Sequence, residues 1–299
     1  MALKIVEFFG YGPDDQSSVA EAHRAGQLCP FVGGACTKLF RDGARSGACT
    51  VRQAESGPII CCPNRLYADN YRILHDIARS AFGQDVRLVS GGDLRKLRRD
   101  GHDVVVYGKH WGKELQLPRV RGRGGFFVDW ILAHVGPNKT LRDFVAVEIQ
   151  SVDTTGTYRP QRDAYLAGAA FPGYSNAGIN WENVSKRILP QIIYKGQVLR
   201  RERLCTHGLF FVCPAPVYER IQTRLGGDLM EYSNLQPGSV TFRWYDVGAA
   251  TVGGSPRPLQ LGGQFSTTVD QVALAFTAPR NLPPPNVYEE AIRQELHTQ

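Results

Sequence analysis

No run of this 299-residue chain approaches the roughly 20 consecutive apolar residues that a membrane-spanning helix needs. The opening MALKIVEFFGYGPDD has neither a continuous apolar stretch nor a small-residue cleavage site. A secretory signal is therefore not expected, and a cytoplasmic protein is. No internal repeat or low-complexity tract is visible, which argues against a solenoid or a disordered linker protein. No CxxC knuckle is present, so the cysteines do not form a zinc-finger pattern. Acidic residues are outnumbered, 28 Asp and Glu against 35 Lys and Arg, for a formal charge of +7. Apolar residues make up 42% and charged residues 21%, as in an ordinary globular domain.

What is present is arginine in clusters. RLVSGGDLRKLRRDGHD carries Arg87, Arg95, Lys96, Arg98 and Arg99; LPRVRGRGGFF carries Arg119, Arg121 and Arg123; KGQVLRRERL carries Lys195, Arg200, Arg201 and Arg203. Three such clusters in a basic chain favour a polyanionic partner, nucleic acid above all, because arginine reads both phosphate and guanine.

Apolar spacing predicts a helix over 64–83 with Gly83 as its stop, a helix near 181–196 kinked or restarted at Pro190, and a last helix capped at Pro285 or Asn286. Strands are predicted at 103–108, 124–136, within TLRDFVAVEIQSVD and at 208–214, with a turn at Gly136-Pro137-Asn138. Helices and strands alternate throughout, so the class is α/β or mixed α+β.

Five of the seven cysteines fall within residues 29–62. Cys29, Cys36, Cys49 and Cys62 are separated by six, twelve and twelve residues, and Cys61 adjoins Cys62. In a cytosolic chain such a cluster argues for metal or redox chemistry, since four thiolates satisfy a tetrahedral zinc or a single iron. Buried free thiols are the competing explanation. Cys205 and Cys213 flank a predicted core strand and read as ordinary buried residues.

In VAVEIQSVD, Val145, Val147 and Ile149 share one strand face, and Ala146, Glu148 and Gln150 share the other. That face points to solvent or to a ligand. Asp129 sits in the apolar stretch FVDWILAHV, nineteen residues before Glu148. A lone carboxylate there is costly unless it meets a cation. Adjacent strands would bring the two carboxylates together, where their repulsion favours a bound divalent ion such as Mg²⁺. The pattern Asp…Glu-x-(Lys) is that of the PD-(D/E)xK nuclease fold, with Gln150 where the lysine usually stands.

CPF at 29–31, GACTV at 47–51, IICCPNRLYADNY at 59–71, GKHWGKE at 108–114, VDWILAHV at 128–135, VEIQSVDTTGTYR at 147–159 and NWENVSKRILPQIIYKG at 180–196 together resemble the NotI/EagI-type type II restriction endonucleases. The resemblance runs to about residue 215. It implies a PD-(D/E)xK restriction-endonuclease-like core with a four-cysteine metal-binding insertion, within a single endonuclease domain over 1–299 that carries the metal-binding subdomain at 26–66. It implies Glu114, Asp129, Glu148 and Gln150 as catalytic residues, with Asp129 and Glu148 on Mg²⁺. It also implies Cys29, Cys36, Cys49 and Cys62 on a structural iron or zinc. The expected activity is Mg²⁺-dependent cleavage of both strands of a GC-rich palindrome, such as one built around CGGCCG, by a homodimer. Arg119, Arg121 and Arg123 are candidate DNA contacts. A repair or junction nuclease of the same fold, and a non-catalytic DNA-binding metalloprotein, are the alternatives.

Overall fold

The computed structural model describes residues 2–54, 56–99, 101–115, 127–278, 282 and 284–297. A three-stranded antiparallel sheet near the N-terminus joins β1 (Leu3–Phe8), β2 (Ala48–Gln53) and β3 (Pro58–Ile60). The main sheet uses β4 (Arg87–Ser90), β5 (Asp103–Gly108), β6 (Trp130–Val135) and β7 (Leu141–Ile149). After the short ribbon of β8 (Thr154–Thr155) and β9 (Gly178–Ile179), it continues with β10 (Leu209–Pro214), β11 (Ser239–Val247) and β12 (Leu259–Thr268). Its order is β12-β11-β10-β7-β6-β5-β4. β5, β6 and β7 form an antiparallel meander, while β7, β10 and β11 run parallel.

The helices are α1 (Ser18–Gly26), α2 (Ala68–Phe82), α3 (Arg159–Leu166), α4 (Leu189–Leu199), α5 (Ala215–Leu225), α6 (Val269–Thr277) and α7 (Val287–His297). α2 covers one face of the main sheet, and α4, α5 and α6 cover the other. Ile73, Leu74, Ile77 and Ala78 of α2 pack with Val145, Val147 and Ile149 of β7 on one face. On the other, Leu189, Ile192 and Leu199 of α4 join Ala146, Phe211 and Phe242. With both faces covered, the centre of the sheet is largely apolar, as parallel segments require.

Most predicted elements stand where the spacing put them. The helix expected at 64–83 is divided: a 3₁₀ turn spans Pro63–Tyr67, Asp69, Asn70 and Tyr71 take left-handed φ of 56°, 56° and 60°, and the rest of α2 runs on to Phe82, with Gly83 following at φ 103°. The helix expected at 181–196 is a π-turn over Val184–Ile188 running into α4, with Pro190 in the first turn of α4. Leu189 N–H still reaches back to Val184 O, and Pro190, which has no N–H to donate, falls where the π-turn gives way to α4. The strand expected from 124 begins at Trp130, so Asp129 precedes it by one residue rather than lying inside it.

The small sheet is pinned by a buried ion pair. Arg65 donates from Nε to Glu7 Oε2 at 2.7 Å and from Nη2 to Glu7 Oε1 at 3.0 Å, and both side chains are 0% exposed. Thr50 Oγ1 also donates to Glu7. A bidentate fork with further hydrogen bonds is the geometry that makes a buried charge tolerable.

Candidate active site

The register of the meander sets the first two site residues side by side. Trp130 pairs with Val147 across β6 and β7. Continuing that antiparallel register by one step puts Asp129 beside Glu148. Asp129 Oδ2 accepts the backbone N–H of Ile149 at 2.7 Å, which fixes its carboxylate at the end of β7. Asp129 is exposed to solvent, whereas Glu148 is 7% exposed.

Burial pushes both carboxyls above their ordinary values. Glu148 rises to about 7, from burial first and the charge of Asp129 second, with Lys195 pulling the other way. A carboxylate pair held together and partly desolvated is what makes a site receptive to a cation. Glu148 Oε2 is buried without a hydrogen-bond partner. An oxygen in that state lacks a ligand, and a divalent ion shared with Asp129 fits it.

The strand face that carries Glu148 does not face solvent. Ala146 on the same face is 0% exposed and lies in the core with α4, so Glu148 is the polar exception on a covered face. Its other oxygen, Oε1, lies 2.5 Å from Lys195 Nζ, with the two side chains 15% and 9% exposed in the order Lys195, Glu148. The sequence had placed Lys195 in a basic run. The signal available was its spacing: Ile188, Ile192 and Leu199 are buried, and Lys195 falls on their stripe.

Gln150 continues the ladder, its N–H donating to Val212 O at 2.9 Å, and its side-chain Nε2 donates to Ser151 O at 3.3 Å. Glu114 is exposed, and the described contacts do not bring it to the carboxylate pair; its charge is felt by His110. His110 also feels Asp129, and its ring lies 5.9 Å from that of Tyr67. Burial and then Lys109 hold His110 below the ordinary histidine value. Tyr67 hydroxyl in turn accepts from Trp130 Nε1 at 3.2 Å. His110 and Tyr67 went unassigned in the sequence, because neither carries a spacing that distinguishes a site residue from a core one.

The cysteines separate into two environments. Cys49 feels Cys62, Cys29 and Cys36, Cys29 feels Cys36, and Cys62 feels Cys61 and Cys36. Burial, reinforced by these neighbours, raises Cys29 and Cys49 and pushes Cys62 to about 12. Cys61 Sγ lies 3.2 Å from Lys38 Nζ and packs, with the partly buried Cys36, in a different core cluster from Cys29 and Cys49. The Lys38 charge also reaches Cys62 and opposes its rise. Even so, among the described residues no group of three or more His, Cys, Asp or Glu side chains is arranged to hold a metal ion. The donor chemistry suits a soft ion, but the structure does not show the thiols closed into a coordination shell.

The basic clusters are partly structural. Arg87 and Arg98 both grip the buried Asp103, at 3.0 and 2.9 Å. Arg200 pairs with Asp270 at 2.6 Å. Arg95, Arg99, Arg201 and Arg203 are exposed. Arg119, Arg121 and Arg123 lie outside the described residues. Among the described residues, no helix is long and apolar enough to cross a membrane.

No curated protein matches the chain. The family model described as "Restriction endonuclease NotI" matches residues 17–207. The matched segment contains Asp129, Glu148, Lys195 and the five clustered cysteines, and stops just before β10. The chain therefore belongs to the NotI restriction endonuclease family and is a site-specific deoxyribonuclease.

Proposed function

We propose that this chain is a Mg²⁺-dependent type II restriction endonuclease that acts as a homodimer on a GC-rich palindrome, one built around CGGCCG. The observation that carries the reading is the Asp129–Glu148 pair, set side by side by the strand register, with Glu148 Oε2 buried and unpartnered. Asp129 and Glu148 would hold the ion; Gln150, on the same strand side as Glu148, orients water or a phosphate oxygen through its amide. Glu114 is proposed as a further catalytic carboxylate; its charge and that of Asp129 both reach His110. When bound, Mg²⁺ supplies Lewis-acid polarisation of the phosphate and a water of lowered pKa. Net, one phosphorus–oxygen ester bond is exchanged for a bond to the oxygen of water.

A palindromic target calls for a two-fold protein. Guanine O6 and N7 accept a bidentate arginine, so the exposed arginines and Arg119, Arg121 and Arg123 are the candidates for contact with DNA. Cys29, Cys36, Cys49 and Cys62 are proposed as the ligands of a structural iron or zinc in the 26–66 subdomain; Cys61, whose thiol meets Lys38, is left outside the set.

Digestion of a sequenced plasmid with Mg²⁺, followed by mapping of the ends, tests the reading. Discrete fragments ending in a GC-rich palindrome are expected. A structure-dependent or non-specific pattern would favour a repair or junction nuclease. No cleavage of any duplex would leave a DNA-binding metalloprotein.

A further inference from the structure

A lysine inside an apolar helix stripe needs an explanation. Ile188, Ile192 and Leu199 are 3%, 1% and 3% exposed, and Lys195 takes the position between the last two. Its ammonium is brought to Glu148 Oε1 at 2.5 Å, on the sheet face that Ala146 and Phe211 otherwise make apolar. As a device for stability the pair is poorly built. A buried ion pair contributes little net stability over an apolar pair of similar volume. This one also leaves Glu148 Oε2 without a partner, which a network selected for stability would satisfy. The strand itself offers no cation: position 150, two residues beyond Glu148 on the same side, is a neutral glutamine.

We propose that Lys195 is the positive group of this active centre, supplied by α4 in place of a lysine on the strand. It acts through Glu148, holding Oε1 so that Oε2 faces Asp129, and it places a fixed positive charge beside both carboxylates. An ammonium has three donors, and Glu148 takes one of Lys195's. The inference rests on the nuclease reading above.

The test compares wild-type protein with Lys195→Met, Lys195→Arg, and the double variant Gln150→Lys/Lys195→Met. Single-turnover cleavage is read at saturating Mg²⁺, duplex affinity in Ca²⁺, and thermal midpoint without DNA. Lys195→Met should slow cleavage about a hundredfold or more, the order seen when one preorganised charge-stabilising group is lost, while duplex affinity stays within about threefold. Lys195→Arg should retain more activity than Lys195→Met. The double variant, which returns a cation to the strand, should recover roughly tenfold over Lys195→Met. Cleavage by Lys195→Met within about threefold of wild type overturns the proposal. So does a loss that follows a fallen thermal midpoint and is relieved by neither Lys195→Arg nor the double variant, because Lys195 would then be a structural strut. If the wild-type protein cuts no duplex, the nuclease reading fails instead, whatever the variants do.

Discussion

The stability of the metal-free protein should fall as pH rises, and Glu148 should be the cause. Its carboxyl lies at about 7 in the folded chain, against 4.5 for a free glutamate. The folded state thus holds this proton more tightly than the unfolded state does. The resulting stabilisation is complete below pH 4.5 and is lost as pH rises to 7. At about 1.4 kcal/mol per pH unit, the full loss is about 3 kcal/mol, of which about 2.5 kcal/mol falls between pH 5 and pH 8. Glu148 is almost wholly buried, so solvent screening does not reduce this much. Chemical denaturation in EDTA at pH 5 and pH 8, for wild type and Glu148→Gln, isolates the effect. Asp129 and Glu148 titrate as a pair, so the difference between the two proteins reports the proton that the pair holds; groups away from the pair are common to both. The wild type should lose about 2–3 kcal/mol more than the variant across the interval. Mg²⁺ added at pH 8 should restore the wild type and leave the variant unmoved. Parallel pH curves for the two proteins would refute the argument.

Replacing Asp129 with Ala should abolish cleavage at any Mg²⁺ concentration while duplex affinity in Ca²⁺ changes by less than about tenfold, because a metal-ligand carboxylate acts on the reaction more than on docking; cleavage at the wild-type rate would remove it from the active site. Cys62→Ser should lose the structural ion measured by elemental analysis, whereas Cys61→Ser, whose thiol meets Lys38, should keep it. Arg65→Met should lower stability by about 3–5 kcal/mol by leaving Glu7 charged and unpaired in the core. Adding Glu7→Gln to Arg65→Met should return part of that loss, and a thermal melt that shows no difference between the single and double variants would contradict the buried-pair account.

Several parts of the molecule were legible from residue spacing. β5, β7, β10, α2 and α7 all have unmixed periodicity and end at glycine, proline or a polar cluster, so their position follows from local rules. The Asp129–Glu148 pairing was legible for the same reason, since a short turn between two strands fixes their register. What could not be read depends on contacts distant in sequence. The covering of the Glu148 face requires α4, which follows it by some forty residues. Lys195 looked like one more member of a basic run until the docking of α4 turned it toward the sheet. Arg87 and Arg98 looked available for DNA, yet Asp103 is buried beside both. β11 and β12 went unread because polar residues interrupt them: Thr241 and Ser266, which meet across the pair at 2.9 Å, satisfy each other rather than solvent.

The π-turn over Val184–Ile188 gives the placement of Lys195 a tolerance to chain length on one side only. Such a turn holds one residue more than an α-turn while still closing a full revolution. Deleting Ser185 would let the segment close into a regular α-turn and leave α4 facing the sheet much as before. Within α4 itself there is no residue to spare, and each residue there advances the helix by about 100° and 1.5 Å. A deletion between Leu189 and Lys195 would therefore swing the ammonium a quarter-turn or so away from Glu148. Two changes of equal length, a few residues apart in one helix, would thus have opposite consequences at the centre of the sheet.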